Sequence, residues 1–222
     1  DCIYCQLGKT KIFTGKRKVF VPVKEIIKEI SALPYIKKLD YITFSGAGEP
    51  SLAKNLKQAI KAVKKIRKTK VAVITNASLL GSKDVRNDLR GADFVLLKLD
   101  APSEDVLRRI NRPLTAIKFA ALLKGIKNFR AGFKGKLALQ IMFVKENKDC
   151  AKDLAVLAGE LHPDQIQINT PLRPCGARPL SKKELKKIKG YFLSECADEI
   201  KITGAYDSFG KKVVPINRCD TL

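Results

Sequence analysis

Apolar positions recur along the chain with two periods. Val23, Ile26, Ile27 and Ile30 share one face at helical spacing behind Pro22, so 23–30 is expected to be an amphipathic helix entered at a proline. Residues 41–45, Tyr-Ile-Thr-Phe-Ser, form a short β-branched run closed by Gly46-Ala-Gly48, the pattern of a buried strand. Residues 52–68 return to helical spacing, with Leu56, Ile60, Val63 and Ile66 inward and lysines outward. The cycle continues with strands at 71–75, 94–99, 137–144, 165–169 and 199–203. Helices are expected at 82–89, 103–110 (Ser103 as N-cap), 116–129, 149–161 and 181–192. Strands alternating with helices predict βα units and a parallel sheet in one domain. No self-similar repeat is present.

In parallel βα folds, ligands bind at the carboxyl ends of the strands. The residues expected there are Ser45, Gly46, Gly48 and Glu49, then Thr75 and Asn76, then Asp100, then Val144 and Lys145, and finally Asn169, Thr170 and Arg173. The loop of residues 1–10 precedes the first of these strands by one helix and belongs on the same rim.

Composition narrows the picture. The 222 residues are 45% hydrophobic and 30% charged, ordinary for a globular chain. Lys plus Arg number 44 against 22 acidic residues, a net charge of +22 that favours polyanions, nucleic acid first. A lysine-rich surface also arises from genome composition or a hot habitat. No apolar run approaches the roughly 18 residues of a membrane span, and no signal peptide is visible. Six cysteines, only two of them close in sequence, do not make a disulfide framework, which points to a reducing cytoplasm. The chain does not begin with Met, and a fragment is expected.

The candidate chemistry starts at Cys2 and Cys5. A C-x2-C pair can clasp zinc, clasp an iron–sulfur centre or close a redox disulfide, and the pair alone does not choose. Gly46 to Pro50 after a strand can equally be a tight turn before a helix. Cys150, Cys175, Cys196 and Cys219 are widely spaced and read as buried or incidental thiols, Cys175 being the one on the rim side. His162, before Pro163 at a helix end, reads as a surface or capping residue. Lysine rows at 54–68 and 182–189 read as solvated faces, whereas Arg108, Arg109 and Arg112 are placed to meet an anionic substrate.

Taken together, Cys-Ile-Tyr-Cys-Gln-Leu-Gly, Thr-Phe-Ser-Gly-Ala-Gly-Glu-Pro, Ile-Thr-Asn-Ala-Ser-Leu-Leu and Ile-Asn-Arg-Pro (110–113) resemble the radical S-adenosylmethionine superfamily. Within it, the likeness is to the wyosine-synthase-related Fe–S oxidoreductases. The resemblance implies an α/β fold, an incomplete (β/α) barrel whose first strand is missing, spanning 1–222 and truncated at the N-terminus and also at the C-terminus. Cys2 and Cys5 match the last two cysteines of the family's C-x3-C-x2-C, which holds a [4Fe–4S] cluster. The first of the three would lie four residues before Cys2, so this fragment by itself is expected to be inactive. Tyr4 matches an aromatic position whose backbone lies near the adenine of S-adenosylmethionine. Gly46, Gly48 and Glu49 match the segment that holds the methionine amino group. Asn76 and Asp100 would be ribose or carboxylate contacts, and Val144 and Asn169 would flank the adenine.

The implied activity is reductive cleavage of S-adenosylmethionine to a 5′-deoxyadenosyl radical that abstracts hydrogen from a second substrate, with tRNA or another nucleic acid as the candidate. An electron donor such as flavodoxin or ferredoxin is implied as partner. The segment 214–222 is expected to lead into a small additional domain. Two rival readings stand beside this one: a zinc or dithiol protein built on Cys2 and Cys5, and a non-catalytic basic RNA-binding module on a degenerate barrel.

Overall fold

The computed structural model describes residues 1–34, 39–46 and 48–207; Cys219 and the segment 214–222 lie outside them. Six strands form one parallel sheet in chain order: β1 (Ile42–Phe44), β2 (Val71–Thr75), β3 (Phe94–Lys98), β4 (Lys136–Met142), β5 (Gln165–Asn169) and β6 (Lys201–Gly204). The helix α1 (Val23–Ala32) precedes the sheet. α2 (Leu56–Arg67) and α3 (Lys83–Leu89) cross from β1 to β2 and from β2 to β3, and α4 (Glu104–Ile110) with α5 (Phe119–Gly132) crosses from β3 to β4. The last two crossovers are α6 (Ala151–Glu160) and α7 (Lys182–Glu195). This is the open parallel α/β sheet that the alternating pattern predicts, a barrel left unclosed.

Strand side chains alternate between two faces, and the register aligns them across the sheet. Val73, Val95, Leu137 and Ile166 stand in successive strands of one face. With Leu97, Leu139, Ile141 and Ile168 they are buried under the helices in the main core. The other face carries Leu96, Lys98, Ala138, Gln140 and Gln167 at paired positions. There Lys98 Nζ donates to Gln140 Oε1 at 3.2 Å and Gln140 Nε2 to Gln167 Oε1 at 3.3 Å. A closed barrel fills this interior with branched apolar residues; here its upper part is a partly exposed polar row.

Several boundaries differ from the periodicity, three of them where a side chain or a neighbouring segment captures backbone groups. The helix predicted from residue 52 begins at Leu56, after a 3-10 turn at Pro50–Leu52. Lys18 takes the missing turn: its N–H donates to Leu52 O and its carbonyl accepts from Lys54 N. The helix predicted from 116 begins at Phe119, because the carbonyls of Leu114 and Ile117 accept from the Arg108 guanidinium and Glu104 accepts from Phe119 N. The strand predicted to reach residue 144 ends at Met142, where the Asn147 side chain donates to Met142 O and accepts from Val144 N.

Candidate active site

The cysteine loop is a tight coil. Cys5 N donates to Cys2 O at 3.0 Å and Gly8 N to Cys5 O at 3.2 Å, with Gly8 at φ +73°, where a side chain is strained. Both cysteines are half-buried. The loop is fastened to the end of α4 by Ile3 N donating to Ile110 O at 2.9 Å. Beneath it lies a small second core of Tyr4, Ala101, Val106, Leu107, Ile110 and Val144, with Cys2, Cys150 and Cys175 against its edge.

Asp100 ties this loop to the sheet. Its side chain is fully buried. Oδ1 accepts from Met142 N at 2.8 Å, and Oδ2 accepts from Asn111 Nδ2 at 2.7 Å and from the Tyr4 hydroxyl. Lys98 Nζ stands 3.8 Å from the carboxyl and 4.9 Å from the centre of the Tyr4 ring. Burial first, then the neighbouring Asp100 and Cys2, push the Tyr4 phenol well above its ordinary range, so it stays protonated and donates. In this arrangement Asp100 and Tyr4 are anchors of the cysteine loop. Both Asp100 oxygens, expected to meet the ribose or carboxylate, accept bonds within the chain, and the Tyr4 ring packs below the loop.

Glu49 occupies the next strand end. Its Oε1 accepts from Ser51 N at 3.0 Å and from Thr75 Oγ1 at 2.5 Å, and its Oε2 accepts from Asn76 N at 2.8 Å. A carboxylate offers about four lone-pair sites, so three bonds hold it rigidly and leave one position for a ligand. Asn76 is exposed and keeps its own turn, Oδ1 accepting from Ser78 N at 3.0 Å. Gly46 and Gly48 are exposed on the preceding loop, Gly46 at φ +154°, and a Cβ at either would meet nothing within 4 Å. Space, not steric crowding, is what these glycines provide.

A cavity opens among these groups. Cys2, Glu49, Asn76, Lys98, Asp100 and Asn111 line it together with the apolar Phe13, Leu52, Leu114 and Phe119. Of the ten predicted site residues, Cys2, Glu49, Asn76 and Asp100 share it. Cys5, Gly46 and Gly48 lie on the adjoining loops. Val144 and Asn169 are not on its wall: the Val144 side chain is fully buried in the second core, and Asn169 contributes its carbonyl to Phe143 N at 2.7 Å.

Arg108 is not free for a substrate either, since it bonds Glu104 and the carbonyls of Leu114, Thr115 and Ile117. Arg109 reaches Glu146 O at 3.3 Å, while Arg112 is exposed in the left-handed region at φ +45°. Burial raises the Cys150 and Cys196 thiols, which fits structural roles, and His162 is exposed, as its sequence position implies.

Sequence reasoning assigned no role to Asn111 or Lys98. Asn111 was visible within Ile-Asn-Arg-Pro, but nothing in sequence spacing connects it to Cys2, 109 residues earlier.

Two cysteines on a half-buried coil offer sulfur donors of the kind an iron–sulfur site uses. Among the described residues no group of three or more His, Cys, Asp or Glu side chains could hold a metal. Cys2 and Cys5 are two candidate ligands, and a complete metal site would need at least one more.

The fold and rim define a class: a parallel α/β partial barrel with a thiol-bearing loop at the carboxyl ends of its strands. The family model described as the radical SAM superfamily matches residues 1–158, and the chain belongs to that superfamily. It is 37% identical over 185 residues to a UPF0026 protein of Synechocystis, covering 82% of this chain and 68% of that protein. To a UPF0026 protein of Methanocaldococcus jannaschii it is 32% identical, covering 85% of this chain and 60% of that one. It is 36% identical to a protein named GTPase Obg in Brachyspira hyodysenteriae, spanning 93% of this chain and only 32% of that protein. The chain thus spans 32% to 68% of the lengths of these relatives.

Among solved structures, Streptococcus suis SuiB bound to S-adenosylmethionine superposes with a TM-score of 0.67 at 15% identity, over 91% of this chain and 47% of that one. A radical SAM methyltransferase from Sphaerobacter thermophilus gives 0.55 at 16% identity, over 76% and 51%. At such identities the likeness is one of fold.

Proposed function

We propose that this chain is the core of a radical S-adenosylmethionine enzyme whose iron–sulfur cluster is held by Cys2, Cys5 and a third thiolate from residues preceding Asp1. The observation that carries the reading is the convergence of Cys2, Glu49 and Asn76 on one cavity at the strand ends of a radical SAM fold. Thiolate ligation with one iron left open supplies, when the cluster is bound, an electron whose transfer to the sulfonium releases methionine and a 5′-deoxyadenosyl radical.

The chain's own residues bind and orient. The open acceptor site on Glu49 takes an ammonium group, as the α-amino group of S-adenosylmethionine provides. Asn76 offers an amide to the ribose or carboxylate. Gly46 and Gly48 let the backbone approach the ligand closely. Phe13, Leu114 and Phe119 keep water from part of the cavity. A polyanionic second substrate, RNA in particular, is favoured by the net charge of +22.

The test is anaerobic reconstitution of the full-length natural chain carrying this sequence, with iron and sulfide, followed by dithionite and S-adenosylmethionine. Wild type forms 5′-deoxyadenosine, and the Cys2→Ala, Cys5→Ala variant forms none. A folded wild-type protein without cluster or product sinks the proposal and leaves RNA binding without catalysis as the leading reading.

A further inference from the structure

We propose that Asn111 is a positioning residue for the metal-binding loop, its side-chain N–H donating to the Cys2 sulfur so as to hold that ligand and raise the reduction potential of the centre bound there. The inference rests on the iron–sulfur reading above. Asn111 Nδ2 lies 3.4 Å from Cys2 Sγ, within range for a sulfur acceptor. The amide cannot turn round. Its nitrogen already donates to Asp100 Oδ2 at 2.7 Å, and a flip would set Asn111 Oδ1 against that carboxyl oxygen.

One hydrogen of the amide therefore goes to Asp100. The Tyr4 oxygen, itself bonded to Asp100, is a third acceptor near the same nitrogen at 3.3 Å, and the second hydrogen is available to Cys2 Sγ. Asn111 Oδ1 is buried with no partner, so the orientation is set by the nitrogen's acceptors alone.

The residue is also held from behind. It caps α4, with its N–H on Leu107 O at 2.9 Å. The segment that follows it is clamped by Arg108 on the carbonyls of Leu114, Thr115 and Ile117. A donor fixed in this way meets the sulfur without reorganising. An N–H···S bond withdraws charge from a ligating thiolate and favours the reduced, more negative state of a cluster. Losing one charge-assisted bond of this type shifts an equilibrium by about tenfold.

The experiment compares wild type, Asn111→Ala, Asn111→Asp and Tyr4→Phe in the full-length natural chain. Each is reconstituted anaerobically, assayed for iron and titrated with reductant while the reduced cluster is followed by electron paramagnetic resonance. Tyr4→Phe loosens the same network and removes a competing acceptor, yet keeps the Asn111 donor, and so separates loss of packing from loss of that donor.

The expected result is a shift of about tenfold against reduction in Asn111→Ala. Asn111→Asp shifts further, because it adds negative charge, and Tyr4→Phe, which keeps the Asn111 donor, shows no shift against reduction. Iron uptake lost in both Asn111 variants and kept in Tyr4→Phe also supports the assignment. Intact clusters in the Asn111 variants with unmoved potentials overturn it, as does an equal shift in Tyr4→Phe. Failure of wild type to take up iron sinks the iron–sulfur reading and this inference together, whereas an unmoved potential in a loaded variant sinks this inference alone.

Discussion

Asp100 shows how one residue can be legible as important while the structure adds a task that sequence position does not reveal. Its place at a strand end marks it as a rim residue, and so it is. What sequence position cannot show is that three donors from three segments, Met142 N, Asn111 Nδ2 and the Tyr4 hydroxyl, converge on its carboxyl group. Removing a buried acceptor leaves each donor to bear its own desolvation cost, about 1–3 kcal/mol per group. Asp100→Ala is therefore expected to lower the free energy of unfolding by roughly 3 kcal/mol or more. Urea denaturation measures this, and a loss below about 1 kcal/mol would show that the network relaxes around the gap. At Glu49, too, strand-end position marks a rim residue, and the structure adds the three donors that hold it still.

Among the elements, α7 has the strongest local signal. Ser181 and Glu184 make a reciprocal capping box: Ser181 Oγ accepts from Glu184 N at 3.2 Å, and Glu184 Oε2 accepts from Ser181 N at 2.9 Å. The backbone bond from Ser181, followed by the Lys148 ammonium at 3.0 Å, holds the Glu184 carboxyl down from the ordinary 4.5 to about 2. A carboxylate with a depressed folded-state pKa adds stability above its unfolded value and loses it as pH falls toward the folded one. Glu184→Gln is thus expected to lower the thermal midpoint at neutral pH. The gap from wild type should close as pH drops from about 4.5 toward about 2. A gap that persists unchanged at pH 2 would mean that the carboxylate charge is not the source. Helix starts elsewhere were harder to read: α2 and α5 begin late because Lys18, Arg108 and Glu104, far away or outside the helical pattern, capture the backbone groups that periodicity alone would assign to a first turn.

At the scale of the whole molecule, charge and topology make separate statements. The net charge of +22 is a property of the chain, but the structure spends part of it internally. Arg17 pairs with Asp88, Lys64 folds back to Asp93, and Arg108 serves the backbone around it. Burial acts to raise the Asp93 carboxyl, yet the Lys64 ammonium and the Val71 N–H outweigh it and leave it lowered, so Lys64 is an anchor and not one of the solvated row in which its spacing placed it. RNA binding by the remaining cations is expected to be strongly salt-dependent. With about 6–10 phosphates neutralised, affinity for a tRNA-sized RNA falls by about 10³–10⁵ between 50 and 200 mM salt. Filter binding or fluorescence anisotropy across that range checks it, and an affinity indifferent to salt would remove RNA as the substrate class. Among the described residues no helix is long and apolar enough to cross a membrane.

By itself, the sequence determined the order and type of the elements, the parallel sheet they imply, and the rim on which Cys2, Glu49, Asn76 and Asp100 gather. These follow from periodicity and from the rule that parallel strands end on one side, both local in the chain. Tertiary structure alone decided which rim groups face the cavity and which are consumed as anchors. It turned Val144 into the core beneath the cysteine loop, spent Arg108 on carbonyls, opened the polar row from Lys98 to Gln167, and brought Asn111 to the Cys2 sulfur. The reason is physical: a donor or acceptor is claimed by whatever partner packing brings within about 3 Å, and most partners here lie tens of residues apart, where no spacing rule reaches.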